Sequence, residues 1–121
     1  MSFSPDDLAR IESAEEIDIE TQAPDGAVHR TTIWIVVDGD DVFVRSVRGH
    51  AGRWFREASA NPAVAIHVDG RRLAATAIPA TDPDSMERTT DAVIKKYKGI
   101  DGFDSMQEPE IFDATFRLEP A

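Results

Sequence analysis

Cysteine is absent from the 121 residues of this chain, so disulfides, thiolate metal sites and cysteine nucleophiles are all excluded. Any redox chemistry has to come from a bound cofactor. Basic residues are scarce, 13 against 23 acidic ones, for a formal charge of −10. That balance argues against a general affinity for nucleic acid or for an anionic membrane, and it requires any anion site to be local. Long apolar runs are missing as well. The acidic stretch from Met1 to Glu16 reads as neither a secretory signal nor a membrane span, which makes the cytoplasm the expected location. With 41% hydrophobic residues there is enough apolar material for one core. The length is below a typical domain of about 150 residues, so residues 1–121 are expected to form one domain.

Ser4-Pro5-Asp6-Asp7 has the form of a helix start, with a capping hydroxyl, proline at the first helical position and acid in the first turn. It predicts a helix from Pro5 to Ala14. Ile17 and Ile19 alternate with Asp18 and Glu20 as in a strand with one wet face, and Ala23-Pro24-Asp25-Gly26 turns the chain. The β-branched and aromatic run from Val28 to Val37 predicts a second strand. Asp38-Gly39-Asp40-Asp41 then reads as a hairpin into a third strand, about Val42 to Val47. A helix is expected over 51–59, stopped by Asn61-Pro62, then strands from Ala63 to Val68 and from Arg71 to Ile78 around the Asp69-Gly70 turn. Asp82-Pro83 opens a helix over 82–98, with Lys95, Lys96 and Lys98 late and Gly99 past its end. Gly99 to Pro109 reads as a loop, and 111–118 alternates as a sixth strand with Phe112, Ala114, Phe116 and Leu118 on one face. Hairpin-joined strands broken by two to three helices predict a mainly β (α+β) fold, a small six-stranded antiparallel barrel with helices outside.

The basic residues are unevenly distributed. Val42 to Arg56 holds Arg45, Arg48, Arg53 and Arg56 and no acid. Arginine's planar fork can grip a phosphate or carboxylate with two hydrogen bonds. Gly49 and Gly52 flank His50 at the strand-to-helix junction, where open amides at a helix start can take an anion. The segment therefore reads as a phosphate cradle, or else as arginines paired with surface carboxylates. Trp34 reads as core or subunit interface, Trp54 as ligand contact or core, and Phe55 as core. His29, His50 and His67 lack the short paired spacings of a metal site, so no metal is expected. The polar run His29-Arg30-Thr31-Thr32 fits the mouth of a ligand cleft or an exposed strand end. Neither Ser46 nor Ser59 lies in a nucleophile elbow, and Glu15-Glu16 and Asp40-Asp41 read as solvated. Tyr97, the only tyrosine, is open to a proton-donor or a packing role.

The segments Asp25–Gly49 and Gly52–Arg72, read together, resemble the flavin-binding split β-barrel superfamily, which includes pyridoxamine phosphate oxidase-like and deazaflavin-dependent nitroreductase-like proteins. Within it the chain is most similar to a family of short bacterial proteins of unknown function. The resemblance spans about Ile17 to Leu118. It is carried by the apolar strand and Asp-Gly hairpin before Val42, by Arg45-Ser46, by Gly52-Arg53-Trp54 and by Ala60-Asn61-Pro62. It implies a split barrel in which Arg45, Ser46 and Arg53, with Arg48 and Trp54 beside them, bind cofactor through its phosphate. It further implies a homodimer with the cofactor between two barrels, and hydride transfer to a small-molecule substrate with no identifiable catalytic side chain. Flavin-binding relatives commonly have lysine where this chain has Arg53, and the nitroreductase-like group often has proline before the tryptophan. FMN and F420 are therefore both open as the cofactor. The alternative is a non-catalytic barrel binding a small anionic or aromatic ligand.

Overall fold

In the computed structural model, which describes residues 2–121, the Ser4 hydroxyl accepts the Asp7 amide at 3.1 Å and Pro5 opens helix α1 (Pro5–Ser13). Strand β1 (Ile17–Gln22) follows, with Ile17, Ile19 and Thr21 buried and Asp18 and Glu20 on the wetter face. β2 (Val28–Ile33) pairs back on β1, with Ile17 opposite Ile33. β3 (Val36–Asp38) and β4 (Asp41–Arg45) form the Asp-Gly hairpin. Helix α2 (Arg53–Ala60), hairpin β5 (Ala63–Val68) and β6 (Arg71–Pro79), helix α3 (Pro83–Tyr97) and strand β7 (Thr115–Pro120) complete the chain. All pairings are antiparallel, in the order β2-β1-β5-β6-β7-β4-β3.

The sheet has seven strands where the sequence predicts six, because the run Val28–Val37 divides at Trp34-Ile35. The cause lies in the pairing. β2 hydrogen-bonds to β1 and β3 to β4, and these partners stand at opposite sides of the sheet. One straight strand cannot reach both. The three Cα steps from Ile33 to Val36 span at most about 10 Å, so the two outer strands must meet at this corner. The sheet therefore curls into an incompletely closed barrel. Two other boundaries shift. Gly49–Ala51 forms a 3₁₀ turn before α2, and Ile111 ends another short 3₁₀ turn, so the last strand starts at Thr115.

Two apolar clusters flank the sheet. Ile19, Val44, Trp54, Phe55, Ile66 and Phe116 belong to the barrel interior, while Val36, Phe43, Val93, Tyr97 and Ile111 pack under α3. β4 lies between them and is buried on both faces. The outer face of β1, β5 and β6 is polar and paired. Glu20 binds Arg72 and His67, and the Arg72 hydrogen bonds, seconded by His67, hold its carboxyl down at about 2. Among the described residues, no helix is long and apolar enough to cross a membrane.

Candidate functional site

Successive side chains of a strand point to opposite faces. On β4 this places Val42 and Val44 in the barrel interior and Phe43 on the α3 side, and Arg45 follows Phe43. Arg45 is 3% exposed. Its Nε donates to Thr115 Oγ1 at 2.8 Å, and its two terminal nitrogens donate to Thr90 Oγ1 at 2.9 Å and the Met86 carbonyl at 3.1 Å. The guanidinium also lies 4.6 Å over the Phe112 ring. Burial pushes its pKa down to about 10, which still leaves it charged near neutrality. Arg45 thus ties β4, β7 and α3 together and forms one wall of the cleft described next.

Ser46, the next residue, faces elsewhere. Its amide donates to the Ala114 carbonyl at 3.0 Å, and its carbonyl accepts the Gly49 amide at 2.9 Å. Its hydroxyl is buried, at 1% residue exposure, without a hydrogen-bond partner. Buried polar atoms are nearly always paired, so an orphan of this kind calls for an explanation. Gly52 stands directly beside it: a Cβ there would lie 2.6 Å from Ser46 Oγ. Gly52 is also the N-cap of α2, whose first turn has no side-chain cap. The hydroxyl thus lies beside the uncapped start of α2, where free helical amides favour an anion. Gly49, at φ +64 and against Ile111, supplies the left-handed bend that brings α2 there.

The place opens into a cleft of about 630 Å³. Thr31, Thr32 and Ile33 of β2, the corner residue Trp34, Arg45 to Arg48, Gly52 to Trp54, and Glu16, Asp101, Gly102 and Met106 line it. Arg10, Arg30, Arg71, Arg72, Arg88 and Arg117 all enter ion pairs. Among the described residues, the four arginines of the basic segment enter none. Of these, Arg45, Arg48 and Arg53 line the cleft, Arg45 with its guanidinium tied to β7 and α3, and Arg56 is exposed outside it. Among the described residues no carboxylate comes within ion-pair distance of these four, and the charge of Arg53 reaches Glu57 only from further away.

Both tryptophans reach the cleft. Trp54 is a core residue as well, 5% exposed and edge-on to Phe55. Trp34 stacks on Tyr97 at 4.0 Å and 2°. The Tyr97 hydroxyl donates to the Glu15 carbonyl at 2.6 Å and accepts the Ile35 amide at 3.2 Å. Burial pushes its pKa up to about 12. Of the two roles open to Tyr97, the structure supports packing. Tyr97→Phe keeps the stack and leaves those backbone groups unpaired, so it is expected to cost about 1–3 kcal/mol of unfolding free energy in urea titrations. A loss below about 0.5 kcal/mol would contradict that role.

Of the polar run opening β2, Thr31 and Thr32 line the cleft, whereas Arg30 pairs with Asp18. His29 is held by Glu57, 2.9 Å from its Nδ1, and Glu57 also accepts the Thr21 hydroxyl at 2.7 Å. None of the three histidines lines the cleft, and no cluster of three potential metal ligands occurs among the described residues. The sequence reading missed two features. Glu57, the first acid after the basic segment, is a buried anchor of α2. Burial works against its charge, and the bonds from Thr21 and His29 outweigh that to hold its carboxyl below the usual range. Glu16 and Asp101 belong to the cleft, and nothing local in the sequence joins them.

A curled antiparallel sheet with its cleft between the ends of β2 and β4 and the start of α2 defines a split β-barrel. The chain belongs to the bacterial family described as "uncharacterized protein conserved in bacteria (DUF2255)", which it matches over residues 7–118. No curated protein sequence matches it. Among solved structures it is similar to a putative pyridoxamine 5'-phosphate oxidase from Listeria innocua, with a TM-score of 0.66 and 18% identity over 96% of this chain and 90% of that one. An F420-H2 dependent reductase gives 0.65 and 14% over 87% and 94% of the two chains. HutZ, the heme storage protein of Vibrio cholerae, gives 0.66 and 18% over 100% and 92%. At these identities the likenesses show the fold.

Proposed function

We propose that this protein binds a phosphate-bearing flavin or deazaflavin, FMN or F420, in the cleft and serves as an oxidoreductase on a small organic acceptor. The observation that carries the reading is the orphaned Ser46 hydroxyl beside the bare Gly52. The residues present fit such a group. Ser46 Oγ and the first amides of α2 would take the phosphate, Arg48 and Arg53 would neutralise it, and Trp54 would flank the cofactor. Arg45 positions Ser46 and adds a buried positive charge without making a direct contact. When bound, the cofactor supplies hydride chemistry, so the chain's own task is to bind, orient and exclude water. The chain is also proposed to act as a homodimer. β2 has an unpaired outer edge and carries the exposed Val28, and a second copy placed there would cover a rim of the cleft.

Titrating the purified protein with FMN and separately with F420, followed by cofactor fluorescence, tests the reading. Saturable binding of one of them is expected, and the Gly52→Ala variant, still folded because φ −63 suits alanine, should lose most of it. Its new methyl would displace Ser46 Oγ. The similarity to a heme storage protein supports a second reading, a non-catalytic barrel for a small anionic or aromatic ligand. Binding without oxidation of reduced cofactor by any of a panel of quinones and nitroaromatics would favour it. Binding of neither cofactor would overturn the first reading.

A further inference from the structure

The cleft has the start of α2 on one side and β2 on another, and the two elements are tied together just outside it. Thr31 of β2 lines the cleft, as do Gly52 to Trp54 where α2 begins. His29 stands two residues before Thr31 and so shares its face of the sheet, about 7 Å along the strand. Glu57 stands one turn beyond Arg53, about 6 Å along the helix. Neither lines the cleft. Instead they meet beyond it: His29 Nδ1 lies 2.9 and 3.1 Å from the two Glu57 carboxyl oxygens, and the Thr21 hydroxyl donates to the same carboxylate at 2.7 Å. Thr21 is directly opposite His29 across the β1–β2 ladder, so one buried side chain of α2 sits on a cross-strand pair. Among the described residues these are the side-chain hydrogen bonds that join α2 to the sheet, since that of Ser59 stays within the helix. The rest of the attachment is apolar, through Trp54, Phe55 and Ala58. Apolar contact is non-directional and lets a helix rock. A carboxylate held by donors on two strands does not.

We infer that Glu57 and His29 are positioning residues for the cleft: their pair, seated on Thr21, fixes how far the anion-binding start of α2 stands from β2. Hydrogen bonds form over a narrow range, about 2.7 to 3.2 Å, so a shift of α2 by about 1 Å is enough to lose those made at its first turn. The arrangement also runs against charge. A carboxylate one turn from Arg53 weakens the positive potential an approaching anion meets, and the Arg53 charge does act on Glu57. Burying that carboxylate adds a desolvation cost. An acid at this position therefore favours anion binding only through its hold on β1 and β2. The inference rests on the cofactor reading in one respect, that the anion received at the start of α2 is the cofactor's phosphate.

Charge and position predict opposite signs. In the full chain, titrated with FMN or F420 according to which binds, charge alone makes Glu57→Leu bind the cofactor about twofold more tightly. Loss of positioning makes it bind at least about tenfold more weakly, which is the expected result. His29→Ala should weaken binding as well. His29→Asn, whose amide nitrogen takes the place of Nδ1 without charge, should restore it to within about threefold of wild type. Dissociation constants are read from cofactor fluorescence at a temperature where circular dichroism shows each variant to be native. Unchanged or tighter binding in Glu57→Leu, or His29→Asn no better than His29→Ala, would overturn the inference and leave the cofactor reading standing. If Glu57→Leu does not fold, the two His29 variants decide. If the wild type binds neither cofactor, the cofactor reading falls and the unloaded protein decides the rest. The backbone amide NMR signals of Gly52 and Trp54, on the wall away from His29, should then shift in His29→Ala and return in His29→Asn. Signals that stay in place in His29→Ala would overturn the positioning role by themselves.

Discussion

Arg45→Ala is expected to lower the unfolding free energy by about 3 kcal/mol. The side chain is 3% exposed and donates to three acceptors on β7 and α3. Truncation takes the donor away from the Thr115 and Thr90 hydroxyls and the Met86 carbonyl, leaving Thr115 only its bond to the Phe112 carbonyl, and it removes the stack on Phe112. Urea denaturation with an unchanged m-value would measure the effect. Arg45→Lys should recover only part of it, since one ammonium cannot reproduce a planar fork aimed at three acceptors. A loss below about 1 kcal/mol would mean that the guanidinium is free to turn to the cleft and contact an anion itself. Any cofactor affinity lost in Arg45→Ala is expected to follow the loss of fold, and to be smaller at temperatures where the variant remains native.

Arg48→Ala/Arg53→Ala should behave in the opposite way. Both side chains are exposed and without ion-pair partners, so folding stability should change by no more than about 0.5 kcal/mol for each. In the proposed complex each would contribute a charged hydrogen bond to the phosphate, worth about 1.5–3 kcal/mol. Together they should weaken cofactor binding by about 100-fold or more. Wild-type affinity should fall as ionic strength rises, and the double variant should show a shallower dependence. Fluorescence titration at two salt concentrations reads both effects. Unchanged affinity in the double variant would remove these arginines from the site. It would also leave no reason for their being unpaired in a chain that pairs its other exposed arginines outside this segment.

Most of the fold is legible in the sequence because it depends on local signals. Ser4-Pro5 and Asp82-Pro83 start helices where capping chemistry requires, and both caps form, with Asp82 accepting the Ser85 amide. Asp38 to Asp41 and Asp69-Gly70 turn hairpins because glycine, and here also Asp69, can take a positive φ. The alternation of Ile17 and Ile19 with Asp18 and Glu20 reports a half-wet strand. The division of Val28–Val37 has no such signal. Every residue in it is a good strand former, and the break at Trp34 exists only because its two halves pair with strands far apart in the sheet.

The candidate site separates along the same line. Its basic character and its glycines are legible, because removing every acid from Val42–Arg56 in a chain of charge −10 leaves a mark on composition alone, whereas Ser46 is singled out only by the family resemblance. The division of labour within it is not. Arg45 and Ser46 are neighbours in the chain and both line the cleft, but the Arg45 guanidinium is taken up by β7 and α3 while the Ser46 hydroxyl, just past the end of β4, is left without a partner. Glu16 and Asp101 stand 85 positions apart in the sequence and read there as solvated or loop acids. Their common place beside Trp34 is decided by the β1–β2 register and by the loop after α3. The sequence alone thus determined which residues could hold an anion, since charge, hydroxyls and bare glycines are properties of residue type. Which of them face the cleft, and which carboxylates join them there, is a property of packing, and only the tertiary structure decided it.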